Sequence, residues 1–511
     1  MRFGEFLLLA VLAVPAVGAV AVAAIPRDRA ARLVGTVVAG LTLLLAALLA
    51  TGDRSWTTWA AGTPAVRPWH RLDLPWVPGL DLRFHLGVDG ISWPLVVLTA
   101  LLTLLCCGYT LWRVPPGGSG RALVALLLVV EVGILGTFLA LDLVLFFLFF
   151  EVVLLPMYAI IAGWGGSAVP GGPSARDAAR AAARKFALYT LFGSVLLLVG
   201  VYVVVAAAGT ADLVALTGGA GLSRGTQLAA FVLLGLAFAV KSPLWPLHSW
   251  LPDAHTQAPT VGSVVLAGVL LKMGTYGLIR VAVGVAPEGA RWAAPVLGAL
   301  AVTAILVGSL VCLAQTELKR LIAYSSVGHM GFVLLGIATL TATGLQAALI
   351  GNVAHGVITG LLFFLAGAVK DRTGTGSLAE LSGLRETAPR LAGLLAFAAI
   401  ASLGLPGLAG FWGEALAVVA AVQVGGAFWT TLAVLAALGG ALTAAYLLRL
   451  LRRVTHGRPS PAVGRVAPGL AGAELTAWAP LVLLALAIGL APTLVLGVAD
   501  APVAALVEVL R

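Results

Sequence analysis

Charged side chains are scarce in this chain. Asp, Glu, Lys and Arg make up 10% of its 511 residues, whereas a soluble domain carries about 25%. With 60% apolar residues, that scarcity excludes an ordinary soluble fold. Cysteine is almost missing as well. Cys106, Cys107 and Cys312 all fall within apolar stretches and none has a CxxC spacing, so no iron–sulfur or zinc site is expected. They read as small packing residues. There is no Walker motif and no strand–GxGxxG–helix unit, so the chain itself is expected to bind neither nucleotide nor redox cofactor, and no metal. The glycines lie scattered through apolar runs, where they let helices approach closely.

What the sequence does contain is fourteen apolar segments, centred near residues 14, 42, 102, 130, 152, 196, 238, 270, 304, 330, 358, 403, 439 and 486. Each reaches the roughly 20 residues needed to span a bilayer as a helix. No alternating barrel pattern is present, so the expected fold is an all-α polytopic membrane bundle of about 14 transmembrane helices. The net charge of +10 is explained by topology rather than by nucleic acid. Twenty of the 31 Lys and Arg residues fall in odd-numbered loops, and nine in even loops and termini. The positive-inside bias puts odd loops in the cytoplasm and both termini outside the plasma membrane. Residues 5–24 are read as a retained first span, because the flanking arginines follow the apolar run instead of preceding it.

Four regions follow along the chain. Residues 1–120 hold three spans and the longest polar loop, about 52–88. Residues 121–280 hold five spans, 292–453 hold five more, and 473–511 form a last transmembrane helix. Each five-span block has one helix interrupted by Pro and Gly, at 241–259 (KSPLWPLHSWLPDAHTQAP) and 402–414 (SLGLPGLAGFWGE). Paired interruptions in corresponding places suggest internal repeats around a transport path. An odd number of spans per block makes the two repeats inverted.

Within this apolar background four ionisable residues stand deep in the spans: Glu151, Lys241, Lys272 and Glu414. A charge at the bilayer centre costs at least ~2.5–3.5 kcal/mol, so such residues face polar cavities and carry ions or protons. Pro243 and Pro246 remove backbone donors just after Lys241. His248 follows at two helical turns, and histidine passes protons near neutral pH. A Glu151–Lys241 pair about 4 Å apart at an effective dielectric near 20 would attract by ~4 kcal/mol. Closing it would load a proton on the lysine and opening it would release the proton. Lys272, His329, His355 and Glu414 could complete a relay, with Glu131 a further membrane carboxylate. Asp142, at the start of a span, can serve as a helix cap. Asp253 and His255 sit where the first interruption meets a loop.

At these residues the sequence resembles the proton-conducting antiporter-like subunits of respiratory complex I. The matching stretches are GVDGIS (87–92), FFEVVLLPMY (149–158), KSPLWPLHSWLPDAHTQAPT (241–260), LLKMGTYGLIR (270–280), LKRLIAYSSVGHMGFV (318–333) and AHGVITGLLFFLAGAVKDR (354–372). Glu414 in the broken twelfth span, and an end soon after the fourteenth, favour the M type of NADH-quinone oxidoreductase over its L- and N-type paralogues. The resemblance implies a Glu151–Lys241 pair, Lys272 as central lysine and Glu414 as exit residue. It implies polar-axis roles for His248, His329 and His355, and a membrane role for Glu131. It implies a proton-translocating subunit without redox chemistry of its own. NADH, flavin, iron–sulfur clusters and quinone would then belong to partner chains, the L- and N-type subunits among the neighbours. A subunit of a multisubunit sodium/proton antiporter is the alternative.

Overall fold

The structure, a computed structural model, describes residues 2–51, 66–166, 174–466, 469–470 and 472–510. Part of the long polar loop (52–65, with Arg54) and Arg511 lie outside the described residues. Among the described residues thirteen helices are long and apolar enough to cross a membrane. They are α1 (Phe3–Ala24), α2 (Asp28–Leu48), α3 (Trp93–Thr110), α4 (Gly120–Leu139), α5 (Leu143–Trp164), α6 (Ala175–Ala208), α7 (Arg224–Lys241), α9 (Thr260–Val283), α10 (Pro287–Ala314), α11 (Leu318–Ala338), α12 (Ala342–Thr373), α15 (Gly426–Thr455) and α16 (Gly472–Leu490). The short α8 (Trp250–Gln257) continues α7 beyond its break. The pair α13 (Pro389–Ser402) and α14 (Ala409–Val424) makes up the broken span, twelfth in chain order. The chain is a multi-pass, all-α membrane protein.

The helix starts follow from local chemistry. Asp142 caps α5, its Oδ1 accepting from the backbone N–H of Val144 and Leu145 at 2.9 Å each. Ser119 caps α4 and Glu317 caps α11 in the same manner. The two interruptions have different causes. After Lys241 the chain leaves the helix through Pro243 and Pro246, and Trp250 ties the far side back by donating from Nε1 to Val240 O at 3.0 Å. After Ser402 the break turns on Gly404 (φ 81°) and Gly407 (φ 91°), a left-handed geometry that strains residues with a Cβ.

Helix α9 occupies the centre of the bundle and is buried from Val261 to Val283. It is apolar around most of its circumference, as a helix enclosed by other helices must be, with Lys272, Thr275 and Arg280 among its polar exceptions. Two π-helical segments, Leu266–Leu270 and Leu278–Val283, bracket its middle. Close packing comes from glycine. A Cβ on Gly356 of α12 would sit 2.6 Å from Gly268 O of α9, so these two helices cross backbone to backbone.

Two features were not expected from the sequence. The end of the polar loop forms a two-stranded antiparallel hairpin, β1 (His70–Val77) and β2 (Leu82–Val88), with His70 opposite Val88 and Asp73 opposite His85. Burial works against ionisation of Asp73, but the hydrogen bond from Arg83 and the charges of His85, Arg83 and Arg71 hold its carboxyl below the usual range. Residues 473–511, expected as one transmembrane helix, divide at Pro492. The final helix α17 (Thr493–Val509) turns back against the hairpin end of the bundle. Its Asp500 accepts from Gln346 at the start of α12 (2.8 Å), and Leu510 O accepts from Arg291 at the start of α10 (2.5 Å).

Candidate proton-relay site

The sharpest geometry lies where α9, α11, α12 and the α13–α14 break meet. Lys272, in the middle of α9, is wholly buried. Its Nζ donates to Ala267 O in the π-helical turn at 2.5 Å and pairs with His355 Nδ1 of α12 at 2.6 Å. An uncompensated buried ammonium costs several kcal/mol, and these two acceptors are what make the position tolerable. With Nδ1 accepting, the His355 proton rests on Nε2, which has no protein partner. His355 lines a cavity of about 30 Å³ together with His329, Thr359, Ser402 and Glu414. A water needs roughly 10–15 Å³ of such space, so one or two fit. Across the cavity His329 Nδ1 meets Glu414 Oε1 at 2.8 Å, and His329 Nε2 meets Ser402 Oγ at 2.9 Å. The two histidine rings stand 5.9 Å apart. The four groups Lys272, His355, His329 and Glu414 thus form one polar line with a single water-sized gap.

The other half is more open. Glu151 accepts from Ser194 of α6 in a short hydrogen bond. Lys241 sits over the Phe150 ring at 4.9 Å and near Phe186 at 6.0 Å. Among the described residues Lys241 makes no ion pair, so the 4 Å Glu151–Lys241 pair expected from the sequence is not closed here. Between Lys241 and α9 the contact runs through Gly274, where a Cβ would stand 2.8 Å from Ser242 N.

His248 falls elsewhere. A place two turns beyond Lys241 on one face requires a continuous helix, and α7 ends at Lys241. Its ring lies 6.2 Å from Tyr324 instead. Glu131 is fully buried and neither carboxylate oxygen has a protein partner; it joins none of the hydrogen bonds above. Asp142 is a cap. Asp253 ties three helices at the Arg-rich end, pairing with Lys185 at 2.7 Å and Arg320 at 2.9 Å.

Two polar contributors carried no clear sequence signal. Ser194 and Ser402 are ordinary serines in apolar helices, and only the fold brings them to Glu151 and His329. His255 was visible but ambiguous. It is fully buried, stacked on Phe363 at 4.5 Å, and neither ring nitrogen has a protein partner. The neighbouring Gln257 and Ala258 line a cavity of about 530 Å³ at the Arg-rich end, together with Lys319, Lys370 and Asp371. His255 therefore stands between that vestibule and the centre of α9.

Residues 140–439 match the family model described as NADH:quinone oxidoreductase/Mrp antiporter, TM. The chain belongs to this family. The match contains Glu151, Lys241, Lys272, His329, His355 and Glu414 but stops short of Glu131. A subunit M of NADH-quinone oxidoreductase from Rhodobacter capsulatus is 41% identical over 448 residues, 85% of this chain and 84% of that protein. An NAD(P)H-quinone oxidoreductase chain 4 from Trichormus variabilis is 37% identical over 499 residues, 96% and 89% of the two chains. A chain of respiratory complex I from Thermus thermophilus superposes with a TM-score of 0.85 at 31% identity, covering 99% of this chain and 100% of its own. A chain of the Mrp complex from Dietzia superposes at 0.83 with 24% identity, covering 100% of both, a likeness of fold alone.

Proposed function

We propose that this chain is the M-type, proton-translocating membrane subunit of an NADH:quinone oxidoreductase of the complex I kind. The observation that carries the reading is the buried line Lys272–His355–His329–Glu414, which only a proton can traverse without large rearrangement. Its 41% identity with a subunit M supports the M type. The Arg-rich loops are the cytoplasmic side of the plasma membrane, and the hairpin and both termini lie outside. Neighbouring L- and N-type subunits complete the membrane part. NADH, flavin, iron–sulfur clusters and quinone are held by other partners, and this chain does no redox chemistry.

In this reading a proton enters the vestibule beside Lys319 and Lys370 and passes His255 to reach Lys272. The ammonium gives a proton to His355 Nδ1 while Nε2 releases its own to cavity water. That water delivers it to the His329–Glu414 pair. From Lys272 to Glu414 each step is a hop between groups about 3 Å apart or through one water, the reach that proton transfer needs. Glu151 and Lys241 set the timing: when the carboxylate leaves Ser194 for the lysine, the positive charge near α9 is compensated.

The test begins with purification from the membrane, identifying co-purifying chains, followed by NADH-driven proton uptake in vesicles. Copurification with NADH-oxidising partners and uptake lost in Lys272→Ala are the expected results. Proton movement that follows a sodium gradient and ignores NADH would overturn the reading.

A further inference from the structure

A second polar track leaves Lys272 in another direction, toward the hairpin end. Lys272, Thr275, Tyr276 and Arg280 stand at i, i+3, i+4 and i+8 on α9 and share one stripe. Thr275 Oγ1 lies 3.2 Å from Lys272 O and donates to Asn352 Oδ1 of α12 at 2.9 Å. Asn352 is one turn from His355, so it stands beside the same lysine. The track ends at Arg280 and Asp89, an ion pair joined by a short hydrogen bond, with side chains 2% and 3% exposed. The axial distance from Lys272 to Arg280 is about 12 Å.

Two observations mark this as more than a structural staple. Asn352 Nδ2 and Arg280 Nε are buried donors without a protein partner. Buried polar groups of that kind are ordinarily satisfied by internal water. The Arg280 end of the track is also built to move. Arg280 lies in the second π-helical segment, a form of helix associated with functional shifts. Its guanidinium also lies over the Tyr276 ring at 5.8 Å, a contact that can hold the arginine when the carboxylate lets go. Asp89 keeps its other oxygen on the backbone N–H of Ile91 and Ser92, at 3.0 and 3.1 Å, so the carboxylate stays fixed while the arginine shifts. Helix α17 lies over this loop, the backbone of Val498 packing directly on Gly90.

We propose that the Asp89–Arg280 pair is a gated proton outlet for Lys272 on the hairpin side, reached through Thr275 and Asn352 and parallel to the route through Glu414. The inference rests on the relay reading above. A proton leaves the Lys272 ammonium for a water held by Thr275 and Asn352. It binds the Asp89 carboxylate while Arg280 is turned toward Tyr276. When Arg280 returns, the restored ion pair expels the proton outward. Only N–H and O–H bonds form and break, and Lys272 ends neutral and ready to reload.

The experiment measures the proton/NADH ratio of the intact complex in vesicles, with complex content checked for every variant. Asn352→Leu and Asp89→Asn should each lower the ratio, but by less than Lys272→Ala does. Combining Asn352→Leu with Glu414→Ala should bring the ratio down to the Lys272→Ala level. Asp89→Asn keeps a side-chain cap on Ile91 and Ser92 while removing the ion pair; if that variant fails to assemble, Asn352→Leu decides. Wild-type ratios in the outlet variants, with Glu414→Ala alone reaching the Lys272→Ala level, overturn the outlet and leave the relay intact. A wild-type ratio in Lys272→Ala sinks the relay itself.

Discussion

Removing His355 separates holding a proton from passing it on. In His355→Leu the Lys272 ammonium keeps Ala267 O at 2.5 Å but loses the imidazole at 2.6 Å. A hydrogen bond to a charged group contributes about 1.5–3 kcal/mol, which is roughly a 10- to 100-fold smaller population of protonated Lys272. The leucine also cuts the line, because His329 and Glu414 then face the lysine only across an apolar side chain. His355→Gln provides the control. Its amide oxygen can accept from Lys272, so the buried ammonium stays satisfied. An amide cannot take a proton on one atom and release another from its far side, so transfer still fails.

The assay is NADH oxidation and proton uptake measured together in vesicles, normalised to assembled complex. His355→Leu should lose at least the share of pumping that Glu414→Ala loses and should assemble less well. His355→Gln should recover assembly but keep only the share of pumping that leaves Lys272 by Thr275 and Asn352. Wild-type proton/NADH ratios in either variant would refute the imidazole's place in the line and leave it as a packing residue.

Other perturbations follow from the same geometry. Lys241→Ala should abolish the pumping linked to this chain while permitting assembly, because the aromatic surround of Phe150 and Phe186 accepts a small neutral group; normal pumping in the assembled variant would sink its role. Glu151→Gln should act in the same way and Glu151→Asp should keep partial activity, read in the same vesicle assay, since charge at this position matters more than length. Glu414→Lys should retain some proton uptake and Glu414→Ala should lose most of it; full pumping in the alanine variant would make Glu414 a packing carboxylate. Arg372→Ala removes a two-pronged bond to Glu474, at 2.7 and 2.6 Å, that ties α12 to α16. Loss of a charged pair of this quality costs about 1.5–3 kcal/mol, which should appear as faster thermal inactivation at an unchanged proton/NADH ratio.

Much of this arrangement was legible before the fold. The span count follows from hydropathy alone, and intramembrane charge is rare enough that Lys272 and Glu414 announce themselves. Their partners were harder. Helical periodicity misplaced His248 because the double proline that makes the break also destroys the periodicity used to read past it. The hairpin was hidden because its strands, HRLDLPWV and LRFHLGV, carry Pro, Asp and Arg and, beyond each other, pair only through the single bridge Leu86–Ala140 among the described residues. The Glu151–Lys241 pair was inferred from attraction alone. Sequence could not know that Ser194 offers the carboxylate a competing donor and that aromatic rings offer the ammonium another seat.

That competition bears on where control resides. From Lys272 to Glu414 the groups are already in contact or one water apart, so little movement is needed there. From Lys241 to Lys272 they are not. The intervening surface is the Gly274–Ser242 contact, and the Ser242 hydroxyl is occupied by Phe238 O at 2.7 Å. Beside it Phe238 meets Phe146 and Phe150 edge-on, at 5.9 and 6.1 Å, a dry aromatic patch that carries no proton. A charge on Lys241 can therefore act on Lys272 through its field before any proton crosses between them. In a low-dielectric interior such a field is felt over many ångströms. Closing Glu151 on Lys241 would cancel it and favour the protonated form of Lys272. Opening the pair would restore it and drive the proton from Lys272 into His355. In the proposed function the two halves would be coupled by electrostatics across an apolar junction that offers a proton no chain of hydrogen-bonding groups.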